Sequence, residues 1–277
     1  MGMRVSTNIS AINAQRNLVG SQRVIQNSMS QLASGSRINK AADDAAGLAI
    51  SEGLKSQIRS GLQATRNAND GISMIQTGEG GLNEISNIIT RLRELAIQGA
   101  SDTVGETERG FLNKEVQQLK SEIDRIANVT TWGTTKLLDG NSPEFDFQVG
   151  LYGEANDNRI TWDPSLNNAT LDGLELSSID FSSKTGAQEA LAELDTAQSN
   201  VNGMRANLGA LQNRMNSTVD NLMNQYENLN AANSRIRDTD VALSSAEMTK
   251  NNILLQAGVS TMAQANSMNA VALKLIG

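Results

Sequence analysis

"AQEALAELDTAQSNVNGMRANLGALQNRMNSTVDNLMNQYENLNAANSRI", residues Ala187 to Ile236, has an apolar side chain at every seventh position. The spacing holds without a break at Ala187, Leu194, Val201, Leu208, Met215, Leu222, Leu229 and Ile236. A helix with this repeat buries one seam against partner helices along its length. At 1.5 Å per residue, the stretch predicts one α-helix of roughly 75 Å.

A second seam follows at once, but on another helical face. Apolar residues recur every seven positions at Val241, Met248, Leu255 and Met262. The step from Ile236 to Val241 is five residues, which breaks the register. This step falls in the polar stretch "RIRDTD". We therefore predict a hinge between two separately packed helices, which includes Arg235, Arg237 and Asp238.

The N-terminal half has the same arrangement. An amphipathic stripe occupies Val5, Ile9, Ile12, Val19, Ile25, Met29 and Leu32. Another seam begins at Leu54 and continues to Leu95. Between them, Asp43 and Asp44 stand at the predicted start of the second long helix, where carboxylates accept free backbone N–H groups. We interpret this pair as a cap or hinge, since a catalytic pair needs surroundings that separate the two pKa values.

Composition excludes several classes of function. The 277 residues include no Cys and no His, which removes Cys-ligated metals, disulfides and the His-dependent triads. A formal charge of −7, with no basic run, argues against nucleic acid as a partner. No apolar stretch is long enough for a membrane span, and the N-terminus lacks the apolar block of a secretory signal. We expect no catalytic residue, cofactor, metal or membrane partner.

The central segment, around residues 145–162, has a strand-like pattern and not a helical one. Apolar and polar residues alternate around Phe145 and Phe147, and again around Ile160 and Trp162, with the turn-rich "GEAND" between them. This pattern predicts a β-hairpin. The "TGEGG" stretch at residues 77–81 lies within a helical stripe and lacks the ending of a phosphate-binding loop. We interpret it as close packing between helices.

These patterns predict a mainly α fold, an elongated helical-bundle rod of paired N- and C-terminal long helices with a small β-hairpin region in the middle. We expect three domains. Residues 1–40 with 240–277 would form an inner coiled-coil domain, and 41–140 with 186–239 an outer helical rod domain. Residues 141–185 would form a short hairpin and turn region. The apolar stripes at both ends favour assembly with other copies. Head-to-tail contacts between copies that do not close into a ring generate a helical filament.

Long motifs in the sequence resemble those of the bacterial flagellins. "LASGSRINKAADDAAGLAIS", "RNANDGISMIQTGEGGLNE" and "EVQQLKSEIDRIAN" follow one another in the order typical of that family, and "NLGALQNRM", "ENLNAANSRIRD" and "TKNNIL" match its C-terminal part. The resemblance covers nearly the whole chain outside roughly residues 141–185. The large outer domains that many relatives insert there are absent.

The resemblance implies a structural subunit that polymerises into the extracellular flagellar filament for swimming motility, after export by the flagellar type III apparatus. It also implies an export chaperone, the filament cap and hook-filament junction proteins as partners. A hook-filament junction protein is the alternative function. We expect the polymerisation interface to comprise Val5, Ile9, Ile12, Val19, Ile25, Met29, Leu32, Val241, Met248, Leu255, Val259 and Met262.

The resemblance implies one further surface. In similar flagellins, the helix around "TRLRELAI" and the next helix bind the animal Toll-like receptor that senses flagellin, and Arg91, Leu95 and Glu115 match the positions credited with contact. The alternative is that Leu95 belongs to the helix seam and that the charges keep the outer face soluble.

Overall fold

Helices make up most of the fold, as the apolar spacing predicts. The computed structural model describes the backbone of residues 7–274 and, apart from 155–156 and 268–274, their side chains. From the N-terminus it forms three helices, α1 Ile9–Ser34, α2 Ala45–Gly99 and α3 Glu106–Val129. Short elements follow: β1 Thr131–Trp132, β2 Thr135–Lys136, β3 Phe145–Gln148, α4 Ala155–Asn158, β4 Arg159–Trp162 and a 3-10 turn at Pro164–Leu166. Two long helices complete the chain, α5 Lys184–Arg237 and α6 Val241–Lys274. The predicted mainly α class with a small hairpin region is confirmed.

The contacts divide the chain into two compact units. Unit 1 contains the described residues up to Ile58 together with those from Asn228 onward, and unit 2 is Arg59–Glu227. The contacts change inside α2 and α5, and the hairpin region belongs to unit 2. The division into an inner, an outer and a hairpin domain, with limits near residues 40 and 240, stays a prediction. A continuous helix can exchange one set of packing partners for another without a break in the chain.

Parts of three helices, α2, α3 and α5, form the core of unit 2, and α2 runs antiparallel to the other two. The predicted seam of α5 is buried from Ala187 to Leu222. Two contacts give the relative direction of α2 and α5. Near the end of α2, Arg93 Nε lies 2.7 Å from Asp195 Oδ1 of α5. Earlier in α2, a Cβ built on Gly78 would lie 3.8 Å from Leu208 Cδ1, further along α5. Residue numbers therefore fall along α2 as they rise along α5. The seam of α3 packs into the same core through Val116, Ile123 and Ala127. Each fully buried aliphatic side chain in such a core contributes about 1.5–3 kcal/mol.

Glycine permits a close approach at the predicted "TGEGG" stretch. A Cβ on Gly81 would lie 2.7 Å from Thr130 Oγ1 and 2.8 Å from Leu138 Cδ1. The segment that follows α3 therefore passes directly over α2. Of the three glycines, only Gly81 is in such tight contact, because a Cβ on Gly78 would have ordinary spacing and one on Gly80 would face open space.

The predicted hairpin is formed by β3 and β4. Phe145 pairs with Trp162 and Phe147 with Ile160 in antiparallel register. The rings of Phe145 and Trp162 stack with centroids 5.8 Å apart. A second, two-residue ribbon joins β1 to β2, and Gly133 turns it with φ +60°. This ribbon was not predicted, since two residues per strand are too few for an alternation to be recognised.

Two buried basic side chains, Arg109 and Lys120, hydrogen-bond to loop carbonyls in unit 2. Arg109 donates from Nε to the Gly99 carbonyl at 2.8 Å and from its guanidinium to the Ser101 carbonyl at 2.9 Å, so it satisfies carbonyls at the end of α2. Lys120 donates from Nζ to the carbonyls of Ser177 and Ile179, at 2.8 and 3.1 Å. Desolvation lowers the pKa of Lys120. Both groups have structural roles, because their hydrogen bonds go to backbone carbonyls.

Candidate assembly surfaces

The terminal helices α1 and α6 pair antiparallel within unit 1. Asn8 donates from Nδ2 to the Ala265 carbonyl at 2.9 Å at one end, and Thr239 N–H donates to the Gly35 carbonyl at 3.0 Å at the other. Between these ends, Leu18 of α1 lies against Gly258 of α6. The two terminal helices are therefore packed against each other in a single copy.

Large and small side chains alternate on the inward faces of this pair. On α1 this face consists of Ala11, Ala14, Leu18, Ser21, Ile25, Ser28 and Leu32, and Gln31 beside it is also half-buried. On α6 they are Ser244, Met248, Asn251, Leu255, Gly258, Met262 and Ala265. Both sets step by three and four residues, as a coiled-coil seam requires. The small positions let the backbones approach, and Ser28 and Ser244 are almost fully buried.

The structure divides the predicted polymerisation residues into two groups. Ile25, Leu32, Met248, Leu255 and Met262 face the partner helix and are half-buried. Six others point away from it and are exposed: Ile9, Ile12, Val19, Met29, Val241 and Val259. Val5 lies outside the described residues. Only the exposed group presents apolar surface to another molecule in this conformation.

Further apolar side chains are exposed that the heptad spacing did not select. These are Val24 on α1 and Leu243, Ile253 and Leu254 on α6. A helix that is apolar on several faces is usually buried on all of them. The run of apolar residues around Leu254 and Leu255 is the signal that could have found this second face. The outer surface of the pair thus carries exposed apolar side chains from both helices.

The two connections that join these helices to α2 and α5 are hydrogen-bonded to each other. Gly35 ends α1 with φ +69°, a conformation that glycine adopts without strain. Ser36 and Asp238 form an isolated antiparallel bridge, and Arg37 N–H donates to the Arg237 carbonyl at 2.6 Å. The Arg37 guanidinium donates to the Ile236 carbonyl at 2.8 Å. The side chain of Arg237 binds that of Glu52 on α2. The predicted hinge residues therefore lie at a bonded junction, where Arg235 and Asp238 are exposed.

Asp43 and Asp44 each bind backbone amides. Asp44 accepts the Gly47 N–H at 2.9 Å and caps α2. Asp43 accepts the N–H groups of Asn39 and Lys40 at 3.1 and 2.9 Å. These two backbone hydrogen bonds, Lys40 first, lower the pKa of Asp43. The carboxylates thus act on different loops and do not form a shared acid-base pair.

Arg91 lies at the centre of an exposed charge cluster on unit 2. It donates to Glu94 at 2.9 Å and to Glu115 of α3 at 3.0 and 3.1 Å. Hydrogen bonds to Glu94 and then to Glu115 raise the pKa of Arg91. Leu95, by contrast, is only 1% exposed and packs in the core. Its burial fits the alternative interpretation of Leu95 as a seam residue, and the surface beside Arg91 is formed without it.

Within residues 7–274, no group of three or more acidic, His or Cys side chains is placed to hold a metal ion. None of the helices described here is both long enough and apolar enough to cross a membrane.

Comparison with known proteins gives the same family at both ends of the chain. Residues 5–142 match the bacterial flagellin N-terminal helical region, and residues 191–276 match the bacterial flagellin C-terminal helical region. The chain is 44% identical over 276 residues to a flagellin of Halalkalibacterium halodurans, with 99% of this chain and 100% of the relative covered. It is 41% identical to the flagellar filament core protein flaB2 of Brachyspira hyodysenteriae, with the same coverage. The crystal structure of Bacillus cereus flagellin is similar at a TM-score of 0.50 and 31% identity, covering 61% of this chain and 94% of that one.

Proposed function

This chain belongs to the bacterial flagellin family, and from that premise we propose that the outer face of its α1 and α6 pair joins neighbouring copies in the filament. Its homologues are structural flagellins, and the chain is a structural subunit of a flagellar filament. The proposal concerns which of its side chains make the assembly contacts.

One observation carries this proposal. The α1 and α6 pair leaves large apolar residues exposed on both helices, with Ile9 at 58% and Val241 at 63% of full exposure. Large exposed apolar patches mark interaction surfaces, because removing apolar surface from water lowers the free energy of the system. Copies related by a rotation and a rise would cover these faces without closing a ring, so the assembly would continue as a filament.

The inward residues have a different role in this proposal. Met248, Leu255 and Met262 would fix the pairing of α6 with α1 inside each subunit. The outward residues, such as Val19 and Val259, would then meet the neighbouring subunit. Pairing of α1 with α6 within one subunit would thus place the outward residues where a neighbouring subunit can contact them.

Several partners and steps follow from the family and form part of the proposal. The chain would be exported by the flagellar type III apparatus with the help of an export chaperone. It would be added beneath the filament cap and would begin on hook-filament junction proteins. The mature location would be the extracellular filament, and the role would be structural and not enzymatic.

Recognition by the flagellin-sensing Toll-like receptor is a further part of the proposal. Arg91 of α2 and Glu115 of α3 form a salt bridge, and 50% and 44% of their side-chain surfaces are exposed. An arginine held in a fixed orientation is a frequent centre of binding energy. Leu95 would act from the core by fixing the position of α2 beneath Arg91, and would not provide contact area in the free chain.

The test is growth of filaments from purified full-length subunits. Short filament fragments are mixed with monomer, and lengths are followed by negative-stain electron microscopy. A filament subunit is expected to extend the fragments continuously. The alternative, a hook-filament junction protein, would stop at a short ring of subunits. Growth that ends after one layer would therefore contradict the proposal and favour the junction protein.

A further inference from the structure

A solvent-filled cleft lies within unit 2 between α5 and the segment that connects β3 to β4. Its volume is about 570 Å³. Small-molecule sites in proteins typically measure ~300–1,000 Å³. One wall is a single face of α5, and the other is formed by the loop 149–152, by Asp157 and Asn158 at the end of α4, and by the start of β4. The cleft is therefore large enough for a ligand the size of one or two sugar rings.

Hydrogen-bonding groups of both kinds line this cleft. On α5, one helical face supplies a guanidinium, two hydroxyls and two amides, from Arg214, Ser217, Thr218, Asn221 and Gln225. Asp157 and the exposed Tyr152 stand on the opposite wall. The buried seam residues Met215 and Leu222 keep α5 in the core of unit 2. Polar donors and acceptors thus converge on the space from a fixed helix.

The opposite wall is held in place by hydrogen bonds to Asn158. Asn158 accepts the Tyr152 N–H with its side-chain oxygen at 3.1 Å, and its carbonyl accepts the N–H groups of Val149 and Gly150, each at 2.9 Å. Gly150 fits tightly here, because a Cβ would lie 2.6 Å from Asn158 Cα. A wall that is already ordered loses little conformational entropy when a ligand binds.

The charges at the cleft favour a neutral ligand. Arg159 lies 3.6 Å from Asp146 and its charge is thereby balanced. Arg214 and Asp157 then supply one charge of each sign. An anionic ligand would approach Asp157, and a cationic one would approach Arg214, so each would meet repulsion as well as attraction. A purely apolar ligand would leave the amides and hydroxyls without partners.

We propose that this cleft binds a neutral saccharide. Adjacent sugar hydroxyls both donate and accept, which matches the amides, hydroxyls, carboxylate and guanidinium of the lining. The apolar C–H face of a pyranose ring would lie on the ring of Tyr152. The lining residues all belong to unit 2, and the proposal does not depend on the assembly role proposed for α1 and α6.

The test uses the full-length monomer, labelled with ¹⁵N and titrated with three neutral probes: methyl α-D-glucopyranoside, methyl α-D-mannopyranoside and methyl β-D-galactopyranoside. At least one probe is expected to shift the amide signals of Tyr152 and Asn221 in a saturable way. Glucuronate, which adds a carboxylate, should bind more weakly than the glucoside. Tighter binding of glucuronate, or no saturable shift with any of the neutral probes, would overturn the proposal.

Matched variants on α5 locate the binding. Asn221→Ala removes a lining amide and is expected to weaken binding by about three- to tenfold, the effect of one lost hydrogen bond. Asn213→Ala removes an exposed amide on the same helix outside the lining and should leave the affinity unchanged. Both positions are exposed, so neither change should impair folding. Equal effects of the two changes would place the sugar elsewhere and contradict the proposal.

Discussion

Gly258 of α6 lies directly against Leu18 of α1. A Cβ built on this glycine would be 2.7 Å from Leu18 Cδ2 and 3.2 Å from Leu18 Cγ. Relaxed carbon contacts are longer, about 3.5–4.0 Å. The absence of a side chain at 258 therefore determines how closely the two terminal helices approach. The pair is specified by the sizes of facing residues as well as by their hydrophobicity.

The first prediction tests this match of sizes. Gly258→Leu should lower the free energy of unfolding of unit 1 by about 1–3 kcal/mol, the usual cost of overpacking. The double variant Leu18→Ala/Gly258→Leu moves the volume from one helix to the other and should recover most of that loss. Thermal and urea unfolding of the full-length monomer, followed by circular dichroism, would give the coupling energy of the double-mutant cycle.

A glycine without a neighbour provides the control. Gly20, also within α1, has no atom within 4 Å of a built Cβ. Gly20→Ala should stabilise the protein by about 1 kcal/mol, because helix propensity rises without a new contact. If Gly258→Leu were equally stabilising, α6 would not approach α1 at Leu18.

The second prediction separates contacts within a subunit from those between subunits. Leu255 and Val259 lie one helical turn apart, but Leu255 is half-buried against α1 and Val259 is 49% exposed. Leu255→Asp should reduce the helicity of the monomer, because an unpaired carboxylate in an apolar seam is costly. Val259→Asp should leave monomer helicity unchanged and abolish filament growth. Circular dichroism and electron microscopy of the same preparations would check both results. Normal filaments from Val259→Asp would show that this face is not an interface.

The third prediction concerns the protonation of Asp43 at low pH. The Asp43 carboxylate accepts two backbone amides, which lowers its pKa below that of an ordinary aspartate. Its contribution to the turn at residues 39–43 is therefore complete above the unfolded-state pKa and is lost as the pH falls through the lowered value. The amide signals of Asn39 and Lys40 should titrate together, with a midpoint below the ordinary aspartate value. In Asp43→Asn this step should vanish, and a midpoint at or above the ordinary value would contradict the assignment.

The long seams could be predicted because a heptad repeat over many turns leaves few alternatives. Ala187 and Leu194 through Leu222 are buried as their spacing required. On α6, Met248, Leu255 and Met262 face one way as predicted, but Val241, the first residue of that predicted seam, is exposed. The α1 stripe was harder to assign. Its inward face uses Ala14, Ser21 and Ser28 at alternate positions, so a search for large apolar residues selected Ile9 and Ile12 from the outer face.

Contacts between distant parts of the sequence could not be predicted from its periodicity. The bridge between Ser36 and Asp238, and the ion pair of Arg237 with Glu52, each join residues from opposite ends of the chain. Periodicity gives the face on which a residue lies but not the identity of its partner. For the same reason, the polar cleft beside Asn221 has no signature in the sequence, since its walls are far apart along the chain.

The last prediction concerns the exposed cluster around Arg91 and rests on the proposed recognition by the Toll-like receptor. Arg91→Ala should lower receptor activation by purified monomer about tenfold or more, the effect of losing one good contact. Arg125→Ala is the matched control, because Arg125 is an exposed arginine on α3 whose hydrogen bonds go to Glu122. Both variants should keep the thermal midpoint of the parent, since exposed ion pairs contribute little to stability. A reporter-cell assay with monomer checked by gel filtration measures the difference, and equal signalling by well-folded Arg91→Ala and parent protein would exclude Arg91 from the receptor contact.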